Sequence, residues 1–251
     1  MAIILGGDDI DAELTIGPDI NADGLVFHID VASTDSIVTK GGVPLADGVE
    51  VDYMYGLIGD GQRVAFAGTA GFPYYVADKG GYLYVGADAT ENIVGTLSDE
   101  VVLGSTYTLD IWVSPRKSVN DRGIDWLTGQ DLAPTANAGG RSILLTVTNA
   151  ALATDNYGSV PLTTPVGAWV NVTIVTTPQA ATYYANGVFR GIGDKTYTKA
   201  ALDIRLQYIG SPNYSLGGGD TSLGPIKAYN RALTAQEVLY SYNTMKSRYM
   251  V

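Results

Sequence analysis

Residues Trp169 to Gly191, WVNVTIVTTPQAATYYANGVFRG, leave little freedom of fold. Val170, Val172 and Ile174 alternate with Asn171, Thr173 and Val175, which gives a strand with one apolar and one more polar face. Thr177-Pro178-Gln179 breaks the ladder, because proline has no N–H to donate. A second strand runs from Ala181 to Ala185. Asn186-Gly187 then supplies the positive φ angles of a type I′ turn, and Val188-Phe189-Arg190 returns as a third strand. A chain organised around this meander is all-β and antiparallel.

The 251 residues suit one sandwich domain. A chain this long buries about three quarters of its unfolded surface and needs no staples. It has no cysteine, which excludes disulfides and thiolate metal sites. The net charge of −11 is the wrong sign for a phosphate-binding surface, so no nucleic acid is expected as a partner. Charged residues make up 16 % of the chain, against a usual ~25 %, which fits a surface that meets other proteins. The start, MAIILGGDDIDAEL, lacks the basic segment and the long apolar run of a signal peptide. No apolar run approaches the ~18 residues a membrane helix needs, so no membrane partner is expected.

Residues 1–24 read as an acidic arm in which Asp9, Asp11 and Glu13 alternate. Leu25 to Val31 reads as a strand with Phe27, Ile29 and Val31 on the face opposite His28 and Asp30. His28 is the only histidine, and no G-x-S-x-G elbow accompanies it, so a nucleophilic triad is not expected. The region from Val51 to Gly86 is dense in tyrosine. In PYYVADKGGYLYVG, Leu83 and Val85 are expected to point inward and Tyr82 and Tyr84 outward, with Tyr74 or Tyr75 opposite. Exposed tyrosines suit sugar rings or a protein partner. Residues 114–141 form the longest irregular stretch, with a short strand expected within Gly123 to Leu127. This stretch gathers Arg116, Lys117, Arg122, Trp126 and Arg141 and reads as a contact loop.

The C-terminal signal is a helix start. Thr234 stands at the N-cap with Glu237 three residues on, and Leu233 and Val238 form a hydrophobic staple. A helix over 235–248 follows, with Val238, Leu239, Tyr242 and Met245 as its apolar stripe.

Three segments together resemble the concanavalin A-like lectin/glucanase jelly rolls, in particular the laminin-G-like group. They are the Trp169 meander with its YYANGVFRG strand, TYTLDIWVSP around Trp112, and the closing run from Gln207 to Val238 with RALT-x-x-E. The resemblance implies an antiparallel β-sandwich over residues 25–251 with one C-terminal helix. The opening GLV-x-x-x-D at Gly24 to Asp30 resembles that of bacteriophage structural proteins carrying this domain. In laminin-G-like domains a loop can hold calcium through Asp. Only Asp220 offers such a side chain in the LGGGD loop, so a calcium site there is a weak expectation and no other cofactor is expected. The fold's glucanases use E-x-D-x-E strands. Here only Glu50-Val51-Asp52 starts the motif, and Met54 and Tyr55 stand where the third acid belongs.

The expected role is therefore non-enzymatic. The first reading is a virion structural protein made in the host cytoplasm: a bacteriophage capsid decoration protein or a head or tail appendage. Its partners would be further copies of itself and other virion proteins such as the major capsid protein. The alternative is a lectin-like module for host glycans. The expected contact surface is Tyr74, Tyr75, Tyr82, Tyr84, Arg116, Arg122 and Trp126.

Overall fold

The computed structural model describes residues 2–3, 14–15, 21–58, 62–68, 72–85, 93–115, 124–131, 143–148, 151–154, 158–161, 165, 167–194, 204–209 and 221–250. In chain order the strands are β1 (Ala2–Ile3), β2 (Leu14–Thr15), β3 (Leu25–Ile29), β4 (Ile37–Thr39), β5 (Val51–Tyr55), β6 (Arg63–Gly68) and β7 (Tyr74–Val76). Then come β8 (Tyr82–Val85), β9 (Ile93–Gly104), β10 (Tyr107–Pro115), β11 (Ile124–Asp131), β12 (Ile143–Thr148) and β13 (Ala151–Thr154). The series closes with β14 (Gly158–Pro161), β15 (Val170–Thr176), β16 (Ala180–Ala185), β17 (Val188–Asp194), β18 (Ile204–Ile209), β19 (Thr221–Tyr229) and a helix, α1 (Ala235–Tyr249).

The strands form two large sheets, and every pairing among them is antiparallel. One sheet has eight strands, in the order β17-β16-β15-β10-β19-β8-β7, with β3 also pairing β19. The other has nine, in the order β14-β13-β12-β11-β18-β9-β6-β5-β4. Among the described residues β1 and β2 pair only with each other. β11 lies inside the stretch read as a long contact loop. It pairs with β12 and β18, so that stretch supplies a sheet strand.

The core fills the space between the sheets. Phe27, Ile29, Leu109, Ile111, Val172 and Ile174 come from the eight-stranded sheet, and Met54, Val64, Phe66, Leu97 and Leu103 from the nine-stranded one. Each such side chain removed from water contributes about 2 kcal/mol, so closing the sandwich dominates the stability. The alternation in β15 works as expected, with Val172 and Ile174 in the core. The Asn186-Gly187 turn has φ of 54° and 71°, the left-handed pair a type I′ turn requires.

Helix α1 covers the other face of the eight-stranded sheet. Its capping box is complete: Thr234 Oγ1 accepts from the Glu237 N–H at 3.2 Å, and Glu237 Oε2 accepts from the Thr234 N–H at 2.7 Å. Arg231 donates to both oxygens of Glu237, and Asn21 donates to Oε1. At the other end Arg248 donates to both oxygens of Asp30 and to the carbonyls of Lys79, Gly80 and Gly81. Between these clamps Trp112 stacks on Tyr242 and Tyr249, Tyr249 meets Trp169, and Trp169 meets Tyr82.

The helix face differs by one position from the expected stripe. Val238, Ser241 and Tyr249 are buried, Tyr242 and Met245 are half-buried, and Leu239 is 44 % exposed. Ser241 occupies the stripe because of what lies beneath it. Asp110 Oδ2 accepts from Ser241 Oγ at 2.6 Å and from Lys227 Nζ at 3.2 Å. Asp110 Oδ1 accepts from Asn171 Nδ2 at 2.6 Å and Thr173 Oγ1 at 3.2 Å. Burial alone would push the Asp110 carboxyl up. The Lys227 charge and the hydrogen bonds from Ser241, Asn171 and Lys227 outweigh it and hold the carboxyl below the usual range.

His28 pairs in register with Lys227 and is fully buried, and neither ring nitrogen has a hydrogen-bond partner among the described residues. Burial, then the Lys227 charge and more weakly Arg248, lower its pKa to about 3 against the opposing pull of Asp30 and Asp110. The ring is therefore neutral and acts as a packing group.

Two outcomes test this layer. His28→Leu removes two unpartnered buried nitrogens and is expected to raise stability by about 1 kcal/mol in chemical denaturation, whereas a loss of that size would reveal a partner for the ring. The hydrogen bonds from Arg231 and Thr234 lower the Glu237 pKa from 4.5 to about 2. A lowered carboxyl contributes stability that is present above pH 4.5 and is lost as pH falls through about 2. Glu237→Gln keeps the cap geometry and should flatten the stability profile across that window; an unchanged acid slope would contradict the assignment.

Candidate functional site

The outer face of the nine-stranded sheet carries the most suitable recognition surface among the described residues. The register of β4 on β5 shifts between Val51 and Tyr53, so Asp52 bulges from the ladder. The bulge lets both Val51 and Met54 enter the core and leaves Tyr53 and Tyr55 side by side on the outer face. Their ring centroids are 5.4 Å apart with the planes at 90°. Arg63 stands opposite Tyr55 on β6, and its guanidinium lies 5.4 Å from the Tyr53 ring centroid. Ala65 stands opposite Tyr53, and Thr96 of β9 opposite Ala65. Small side chains thus lie beside the aromatic pair, and exposed Ser98 lies next along β9.

The electrostatics of this surface are mild. A hydrogen bond with Tyr55, then partial burial, raises the Tyr53 phenol, with Arg63 pulling the other way. The Tyr53 phenol therefore stays protonated at neutral pH. The surface offers aromatic area, one fixed cation, two hydroxyls from Thr96 and Ser98, and the carboxylates of Asp52 and Asp99. That set suits stacking and hydrogen bonding to a polyol.

The expected tyrosines do not share one surface. Tyr74 and Tyr84 are directly opposite each other, and Tyr74 is 37 % exposed. Tyr75, opposite Leu83, is buried in the core. Tyr82 corrects the outward reading: it does point away from the inter-sheet core, as Leu83 points into it, but its ring meets Trp169 in the layer under α1 and is buried. Strand alternation assigns a face and cannot say which faces a helix will cover. Arg116, Arg122 and Asp220 lie outside the described residues. Trp126 belongs to β11, of which only the backbone is described. Tyr53, Tyr55 and Arg63 were not singled out beforehand. The Tyr-x-Tyr alternation was visible, but the bulge that turns it outward depends on the pairing with β4.

Glu50, the start of the partial acidic motif, forms an ion pair with Lys40 at 2.9 Å, and the Lys40 ammonium lies 4.0 Å from the centre of the Phe72 ring. Among the described residues no three His, Cys, Asp or Glu side chains group as a metal site, and no helix is long and apolar enough to cross a membrane. A separate apolar strip lies at the β17 edge of the other sheet. There Val188, Phe189 and Ile192 are each more than half exposed, Phe189 and Ile192 on the helix-side face and Val188 on the other, and the Gly187 turn abuts Leu239 of α1.

No curated protein sequence matches the chain. Among solved structures, Trypanosoma rangeli sialidase is similar at 14 % identity with a TM-score of 0.60, over 90 % of this chain and 33 % of that one. This chain therefore spans about a third of the sialidase's length. Domain 4 of an extracellular arabinanase from Geobacillus stearothermophilus, in complex with arabinotriose, is similar at 16 % identity with a TM-score of 0.51, over 86 % of this chain and 96 % of that one. The binding domain of botulinum neurotoxin serotype G gives 13 % and 0.53, over 89 % of this chain and 51 % of that one. At such identities these likenesses are of fold. Residues 88–239 match the family model described as concanavalin A-like lectin/glucanases superfamily. That span is more than half of the chain, and together with two packed antiparallel sheets it means that the chain belongs to the concanavalin A-like lectin/glucanases superfamily.

Proposed function

We propose that this protein is a non-enzymatic recognition module that binds a saccharide on the outer face of its nine-stranded sheet. The observation that carries this is the perpendicular Tyr53–Tyr55 pair with Arg63 held against it. A sugar ring presents an apolar C–H face and a polar rim. Aromatic rings take the first, while Arg63, Thr96 and Ser98 take the second. The arabinotriose complex of a domain of nearly the same extent supports the choice of ligand class. A hydrolytic role lacks support, because Glu50, the start of the partial acidic motif, is tied up in an ion pair with Lys40.

A second reading concerns where the module works. The exposed Phe189 and Ile192, which share one face of the β17 edge, favour a protein contact. This fits a bacteriophage capsid decoration protein or a head or tail appendage that docks on a major capsid protein or on its own copies. The two readings are compatible, since a virion component can present a glycan-binding face.

Binding to an array of neutral and acidic oligosaccharides tests the module directly. Tyr53→Ala should weaken the strongest ligand about tenfold, or about 1.4 kcal/mol, with the melting temperature kept. Arg63→Ala should act similarly. Unchanged binding in both variants, or no saccharide bound at all, would leave the protein-contact reading. Phe189→Asp combined with Ile192→Asp should abolish incorporation into a particle or self-association without affecting glycan binding.

A further inference from the structure

Lys227 and Asp110 stand opposite each other on β19 and β10, the two central strands of the eight-stranded sheet. Each side chain is 1 % exposed, and Lys227 Nζ lies 3.2 Å from Asp110 Oδ2. Simple stability does not require such a pair, because an apolar pair of similar volume would serve as well. What distinguishes it is the arrangement around the carboxylate. Oδ1 accepts two hydrogen bonds, from Asn171 Nδ2 at 2.6 Å and Thr173 Oγ1 at 3.2 Å. Ser241 Oγ bridges the other side, 2.7 Å from Nζ and 2.6 Å from Oδ2. One carboxylate oxygen is thus held as an oxyanion would be, and the other is joined to the amine by a hydroxyl that can pass protons.

We propose that Lys227 and Asp110 condense into an intramolecular amide that cross-links β10 to β19. A proton moves from Nζ through the Ser241 hydroxyl to Oδ2, which turns the ion pair into an amine and an acid. The ion pair is the resting state, and burial, which penalises both charges, brings the neutral pair within reach of it through the relay. The amine lone pair then forms the Nζ–Cγ bond, and charge collects on Oδ1, where Asn171 and Thr173 donate. A second proton passes from nitrogen to Oδ2 through Ser241, the Cγ–Oδ2 bond breaks, and water leaves. The amide keeps one N–H. No electrons are exchanged and no other reactant is consumed. Fixing the two groups on adjacent strands supplies an effective concentration on the order of 10⁵ M or more. The covering helix disfavours the return of water. The product stays satisfied, with its N–H facing Ser241 and its carbonyl facing Asn171 and Thr173.

The other titratable groups nearby do not compete. His28, the cross-strand neighbour of Lys227 on β3, is neutral, and Asp30 is engaged by Arg248. The cross-link would fasten the last strand, which leads directly into α1, to the strand at the sheet's centre.

Mass spectrometry of the purified full-length chain and of its tryptic digest tests this. The expected result is a chain lighter than its sequence by one water, with a joined peptide pair containing Lys227 and Asp110. Lys227→Arg and Asp110→Ala should each show the uncorrected mass. Ser241→Ala should slow formation after synthesis about hundredfold, the low end of what a positioned proton relay supplies. Wild-type protein at the full mass of its sequence overturns the proposal, whether or not the variants fold. So does a chain lighter by one ammonia whose digest joins Lys227 to Asn171.

Discussion

A carboxylate buried under a helix must have its charge answered on every side, and the layer above the eight-stranded sheet is built to that requirement. Asp110 has a cation from β19, an amide and a hydroxyl from β15, and a second hydroxyl from α1. Leaving any of these groups unpaired would cost more than the hydrogen bond itself gains. The three strands and the helix therefore hold one relative position. The Arg231–Glu237 and Arg248–Asp30 clamps at the helix ends lie on either side of this point. The aromatic run from Tyr242 through Trp112, Tyr249 and Trp169 to Tyr82 fills the space around it.

That covering decides which face is left open for the proposed recognition. The eight-stranded sheet is buried on both sides near its centre and exposes apolar side chains at its β17 edge. The nine-stranded sheet keeps Tyr53, Tyr55 and Arg63 on an outer face that no helix covers among the described residues. In a sandwich with one face closed by its own helix and the other open, one layer gives rigidity and the other is left free for the proposed recognition. A rigid support keeps the entropic cost of binding low, because the ring pair is already in place before a ligand arrives.

The legible part of the sequence was that governed by neighbours along the chain. The capping box specified α1 because Thr234 and Glu237 bond each other's backbone within one turn. The Asn-Gly turn specified a hairpin because its φ requirement is local. Alternation placed Val172 and Ile174 in the core correctly. Tyr82, Ser241 and Tyr53 were different. Tyr82 has the same pattern whether its face meets water or Trp169. Ser241 lies outside the apolar stripe read from the sequence, and its burial follows from Asp110, 131 positions away in the chain.

The sequence by itself determined an antiparallel sandwich with a capped C-terminal helix, since strand period, turn chemistry and helix capping act over a few residues. Only the tertiary structure decided which polar side chains became a buried cluster and which tyrosines became a surface. Those outcomes depend on the pairing of β10 with β19 and of β4 with β5, and on where the helix lies. Such contacts join residues far apart in the chain, and no local periodicity encodes them.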